Sequence, residues 1–231
     1  MQGLPTFQEI FMILLIRGLP VTLVLTFSGL LIGLTVGVVL ALLRVYGGDL
    51  FSYFVQAYER VLRGIPLLVL LFLFYVGMPR FFAFAGSNTA LSVGIFSLGM
   101  RSSAYQSQIF RGAILSVGEG QMEAARAIGM TKLQAIRHII LPQALRIALP
   151  GWSNEYAIVI KDSSYCMAIG VIELSKLVIT FRARYPELVG LVIMVTALIY
   201  FLFTYPVTRT IGQKMTERLE TLGLGGGGVH R

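Results

Sequence analysis

The chain of 231 residues is 56% hydrophobic and only 13% charged, with a mean hydropathy of +0.78. A soluble globular domain carries roughly 25% charged residues and about 45 to 50% apolar ones, so these proportions exclude a dissolved domain and place the chain in a membrane. The net charge of +8 and pI near 9.9 then call for no nucleic-acid partner, because Lys and Arg collect on the cytoplasmic connections of membrane proteins.

Membrane spans are sought between charges, since a helix crossing hydrocarbon needs about 20 mostly apolar residues. The first is expected from Gly18 to Leu43, 26 residues without a charge, too long for a signal-peptide core and without an evident cleavage site. Within it Gly29, Gly33, Gly37 and Ala41 recur at every fourth position, a stripe that lets a helix of this or another chain approach closely. The second is a weaker segment around Ile65 to Met78, preceded by Glu59, Arg60 and Arg63; Pro66 lacks a backbone donor and marks a helix start or kink there. The third runs from Phe81 to Met100, 20 uncharged residues leading to Arg101. The fourth lies around Ile147 to Ile172, interrupted by Glu155, Lys161 and Asp162. The fifth is Leu188 to Thr208, 21 residues without a charge. The expected fold is all-α and integral to the membrane, with about five transmembrane helices in one domain over 1–220 and a flexible Gly-rich tail over 221–231.

The connections set the orientation. With the N-terminus outside, the cytoplasmic side receives 12 of the 19 basic residues and the outer side five, while Arg101 and Lys161 fall within spans. The bias favours N-out, C-in, with the connection from Lys161 to Glu187 as the exception.

The cytoplasmic connection over about 116–142 is the most informative stretch. Gln121 to Ala127 are strong helix formers, Gly129 breaks them, and Thr131 can cap a second short helix from Lys132 to about Ile140 that ends before Pro142. Such a pair either lies on the lipid surface or forms a compact knob that seats in a cleft of another protein. Glu123-Ala124-Ala125, three residues, Gly129, nine residues, Ile139, one residue, then Leu141-Pro142 resembles at every position the EAA loop of membrane subunits from ATP-binding cassette importers. Arg63-Gly64-Ile65-Pro66-Leu67-Leu68, Ala104-Tyr105 with Ile109-Phe110-Arg111-Gly112, Gly120-Gln121, Leu141-Pro142-Gln143-Ala144 and Lys161-Asp162-Ser163-Ser164 are similar to the polar amino acid permease branch, over about residues 15–220. That branch commonly has Lys-Asp-Thr-Ser-Leu where this chain has Lys161-Asp162-Ser163-Ser164-Tyr165.

The resemblance implies a permease of a prokaryotic cell membrane. It would pair with a copy of itself or a paralogue, dock cytoplasmic ATPase subunits through Glu123, Ala124, Ala125 and Gly129, and receive an amino acid from an extracytoplasmic binding protein. ATP and Mg would be bound by the ATPase partner, with no cofactor in this chain and no enzymatic activity of its own. The chain contains no Gly-x-x-x-x-Gly-Lys-Ser/Thr phosphate loop, in keeping with that division of labour.

Charges within spans are costly in hydrocarbon and tend to face a cavity. Arg101 is followed by Ser102 and Ser103. Glu155 and Asp162 stand seven apart, which puts both carboxylates on one helical face, and Asn154 and Lys161 repeat that spacing on an adjacent one. An amino acid is a zwitterion, so Arg101, Ser102, Glu155, Lys161 and Asp162 are the candidate solute contacts; alternatively Arg101 pairs with Glu155 or Asp162 and locks the helices. His138 reads as a surface or subunit-contact residue, Cys166 as a small buried packing residue, and Trp152 as a span-end or core residue whose indole finds a polar partner. No Ser-His-Asp, Cys-His or metal-ligand spacing is present, which argues against a membrane-embedded enzyme. An ion-coupled secondary transporter or channel is the alternative, although many such folds carry inverted repeats and none is visible here.

Overall fold

A computed structural model of the chain describes residues 5–82, 86 and 89–221. The tail expected over 221–231 lies, beyond its first residue, outside the described residues. All regular structure among the described residues is helical.

Helix α1, Phe7–Tyr46, is continuous over 40 residues, about 60 Å at 1.5 Å per residue. It opens on a capping box in which the Thr6 hydroxyl accepts from the Glu9 amide and the Glu9 carboxylate accepts from the Thr6 amide. The first span therefore starts at Phe7 rather than Gly18, with Arg17 inside the helix. Gly48, at φ +83°, turns the chain into α2, Asp49–Gly64, an amphipathic helix. Ile65 is then forced into an extended conformation by the ring of Pro66, and α3, Leu67–Gly77, leaves α2 at 100°. Because α3 has only 11 residues, about 16 Å, the expected second span is corrected: α3 alone cannot cross roughly 30 Å of hydrocarbon, and any crossing here uses α2 and α3 together as one broken element.

Helix α4, Thr89–Ser116, carries the expected third span on beyond Met100, so that Arg101 sits near the helix's middle; positions 83–85 and 87–88 of that expected span lie outside the described residues. Charge-free gaps mislead here because the polar side chains of α4 face other helices instead of lipid. Ser97, Ser102, Ser103, Gln106 and Ser107 are all buried, with α4 packed between α1, α2, α3 and the long helix described next. The short α5, Glu119–Ala127, leads into α6, which is continuous from Lys132 to Ile169. The expected stop before Pro142 is corrected. Leu141 donates to the Ile136 carbonyl and the ladder widens to a π-helix over Ile136–Ile140, so the proline, which cannot donate, enters without ending the helix. The last turns of α6, Ser163–Ile169, tighten to a 3-10 helix. Gly170, at φ +94°, then releases α7, Leu174–Arg184, at 48° to α6. Helix α8, Pro186–Leu219, closes the fold.

Among the described residues only α1 and α8 are long and apolar enough to cross a membrane unaided, and the two bent pairs would bring the total to four. The five expected spans thus resolve into two unbroken apolar helices, two broken pairs and one polar central helix. The outer surface remains apolar, with Phe27, Leu31, Phe72, Leu198 and Phe201 exposed, as suits a chain solvated by lipid. The small-residue stripe packs within the chain. A Cβ on Gly37 would lie 3.1 Å from the Ser103 carbonyl oxygen and 3.1 Å from the Ser107 nitrogen, and one on Gly29 would lie 3.0 Å from the Leu98 Cβ. These glycines admit the backbone of α4 against α1. Cys166 is fully buried.

Candidate functional site

The polar face of α4 organises two layers. In the inner layer Gln106 donates to the Leu30 carbonyl at 3.2 Å and to the Ser102 hydroxyl at 3.0 Å, and Ser102 donates to the Glu155 carboxylate at 2.8 Å. Glu155 is only 2% exposed, so this chain of hydrogen bonds lies wholly inside the protein. In the outer layer Arg101 donates to the Asp162 carboxylate at 2.5 Å, and the two side chains are 19% and 17% exposed. Tyr105, one turn further along α4, carries Arg101 over its ring at 4.8 Å and Arg63, from the end of α2, at 4.9 Å. The result is a half-open cluster of two guanidiniums, one aromatic ring and one carboxylate, backed by a buried serine and glutamate.

Of the five candidate solute contacts, Arg101, Ser102, Glu155 and Asp162 converge. Both carboxylates of α6 face α4, as their spacing requires. Lys161 does not join them: it is exposed, one position round the helix from Asp162. Asn154 is likewise exposed and borders a separate open cleft with Ser153, Gln213 and Glu217. Trp152 departs from expectation, since its indole nitrogen is buried without a hydrogen-bond partner among the described residues. Those residues hold no group of three or more His, Cys, Asp or Glu that could ligate a metal ion.

The second candidate region is the turn between α5 and α6. Gly129 has φ +87°, a left-handed conformation that side chains disfavour. It lets Met130 donate to the Ala125 carbonyl at 3.1 Å while the Gly129 amide reaches the Arg126 carbonyl at 3.0 Å. Thr131 and Gln134 cap α6 reciprocally. Glu123 and Ala124 face outward and Ala125 is buried. The turn presents Ile128 and Leu133, 75% and 73% exposed. It is tethered to the end of α1, where Lys132 donates to the Tyr46 carbonyl at 3.3 Å and lies over the Tyr46 ring at 5.2 Å. A hollow of about 410 Å³ between this tether and α5 is lined by Tyr46, Ile114, Met122 and Glu123 among others.

The family model described as "Binding-protein-dependent transport system inner membrane component" matches residues 29–211, which take in both regions. The chain belongs to this family. Among its relatives, a probable amino-acid permease protein YxeN of Bacillus subtilis is 35% identical over 207 residues, 88% of this chain and 90% of the relative. A probable amino-acid ABC transporter permease protein PatM of Vibrio harveyi is 38% identical over 161 residues, 70% of this chain and 72% of the relative. The crystal structure of an amino acid ABC transporter with histidines contains a chain that superposes with a TM-score of 0.75 at 31% identity, covering 91% of this chain and 95% of that one. This inner membrane component is accordingly a membrane permease subunit of the ATP-binding cassette importer class.

Two buried carboxylates of the permease escape sequence reading. Glu59 is 2% exposed and is held by Arg44, by Gln108 and by the Ser107 hydroxyl at 2.6 Å. Its signal is its register: it stands four residues after Val55 and three before Leu62, both buried, on the inward face of an amphipathic helix. Glu173 accepts the Ser175 and Lys176 amides at the start of α7 and the Tyr200 hydroxyl at 3.0 Å, a capping role that no spacing announced.

Proposed function

We propose that this permease forms, with a second permease chain, the translocation path of an ATP-driven importer of polar amino acids, basic ones among them. In this reading the N-terminus lies outside and the C-terminus inside the plasma membrane of a prokaryote. A binding protein delivers the solute, and ATPase subunits, which carry ATP and Mg, dock on Glu123, Ala124, Ala125 and Gly129. The observation that carries the solute reading is the half-open pairing of Arg101 with Asp162 beside Tyr105. A zwitterion offers a carboxylate to Arg101 and an ammonium or cationic side chain to Asp162, exchanging one ion pair for two charge-assisted contacts. Ser102 and Glu155 stand behind and fix the height of α4 against α6, while Lys161 lies outside the cluster and is the weakest of the named contacts. The relatives' descriptions as amino-acid permeases support the solute class.

One observation favours a second reading. The Arg101 to Asp162 contact is already closed at 2.5 Å, as it would be if the pair only fastened α4 to α6. Competition uptake of basic, neutral and acidic amino acids by Asp162→Asn and Glu155→Gln, run beside thermal stability, separates the two. Selective loss of basic solutes is the expected result. Uniform loss that tracks lost stability would leave only the fastening role.

A further inference from the structure

Beside α4, adjoining the charged cluster through Arg63, a polar hollow of about 180 Å³ is lined by Arg44, Gln56, Glu59, Arg60, Arg63 and Gln108. Its charge does not balance. Three guanidiniums face one carboxylate, and both oxygens of that carboxylate are already engaged by Arg44, Gln108 and Ser107. Arg63 rests on the Tyr105 ring. Arg60 has no hydrogen bond, ion pair or ring contact with any described residue. A net charge of two gathered in one concavity is expensive unless a counter-anion enters it.

The surroundings indicate which anion. Arg44 lies two residues before the end of α1 at Tyr46, where an apolar helix of this kind passes from hydrocarbon into head groups. From that end α2 departs with Leu50, Phe51, Tyr53, Phe54 and Val61 exposed, an apolar surface that needs acyl chains against it. Guanidiniums in a fork bind phosphate oxygens in pairs, and basic pockets between membrane helices recur as sites for acidic lipid head groups. We infer that the Arg44, Arg60 and Arg63 hollow binds the phosphate of an anionic phospholipid whose chains lie along the exposed face of α2. No part of this depends on which solute the permease carries.

The test uses the intact complex extracted from membranes and reconstituted in nanodiscs of phosphatidylcholine alone or of an equal mixture with phosphatidylglycerol. Native mass spectrometry then counts the phosphatidylglycerol retained per permease chain. Wild type should retain phosphatidylglycerol in preference to phosphatidylcholine. Arg60→Gln, a change at an exposed residue without a partner, should weaken that retention about tenfold, the loss of one charge-assisted contact, and Arg60→Lys should keep most of it. Thermal unfolding of each variant should match wild type. Retention unchanged in Arg60→Gln would overturn the proposal. So would displacement of the lipid by inorganic phosphate, which would make this a site for a free anion, or by amino acids, which would make it part of the solute path. A disulfide between two copies of Arg60→Cys would also overturn it, by placing a second permease chain in the hollow.

Discussion

Replacing Arg44 by Met removes the one cation hydrogen-bonded to the Glu59 carboxylate and leaves it with two neutral donors, Ser107 and Gln108. The side chains of the pair are 13% and 3% exposed, and breaking one side of so buried a pair costs about 3 to 5 kcal/mol. For a chain of this length each kcal/mol lowers the melting temperature by roughly 2 to 4 °C, which gives a fall of about 6 to 20 °C. Glu59→Gln should cost less, about 1 to 3 kcal/mol, because the amide oxygen still accepts from Ser107 and Arg44 can swing outward. The double variant Arg44→Met, Glu59→Leu removes both charges and should lie within about 1 kcal/mol of wild type, since the desolvation cost disappears with the attraction. Thermal unfolding of the four proteins in detergent closes the cycle. If both single variants stay within about 0.5 kcal/mol of wild type, as exposed ion pairs do, the pair is not buried as described.

Further tests address the other elements. Gly129→Val should abolish solute-stimulated ATP hydrolysis and uptake while the complex still assembles on gel filtration, because a β-branched side chain resists the φ of +87° that shapes the turn; Gly129→Asn, which accepts that conformation, should retain most activity. Gly37→Leu should fail to give a folded permease, since its Cβ would press on the backbone of α4 at 3.1 Å. Gly190→Ala, with nothing within 4 Å of the new Cβ, should be neutral or stabilising by up to about 1 kcal/mol. Crosslinking in native membranes should trap a dimer of permease chains, and full-rate transport by an isolated single chain would contradict the two-chain path.

The sequence made the helical class, the stripe on α1 and the turn at Gly129 legible because each follows from a local rule: apolar length, spacing of small residues, or a glycine between two helix formers. Glu155 and Asp162 could be placed on one face from their spacing alone. The spans were harder to bound, and α4 shows why. A polar or charged residue bounds a span only where it would have to face lipid, yet Ser102, Gln106 and Ser107 are buried against neighbouring helices, so the helix runs on through them. Pro142 misled for a related reason: a missing donor ends a helix unless the ladder can widen, and the π turn at Ile136–Ile140 supplies that option. The Arg63 and Tyr105 contribution was hidden because it depends on the 100° bend at Ile65-Pro66, which folds the end of α2 back against α4.

The unbroken run of α6 has a mechanical consequence. Its first turn belongs to the exposed loop and Asp162 to the charged cluster, so one rod joins them, with about 32 Å from Leu141 to Asp162 at 1.5 Å per residue. Tilting that rod by roughly 5° about its widened base moves the carboxylate sideways by about 3 Å, which is the distance between making and losing a hydrogen bond. The widened π turns at Ile136–Ile140 and Pro150 within the rod are the points at which such a helix bends. Under the proposed coupling, a small rotation imposed at Ile128 and Leu133 would reach Arg101 through this one rod as a change of partner for Asp162.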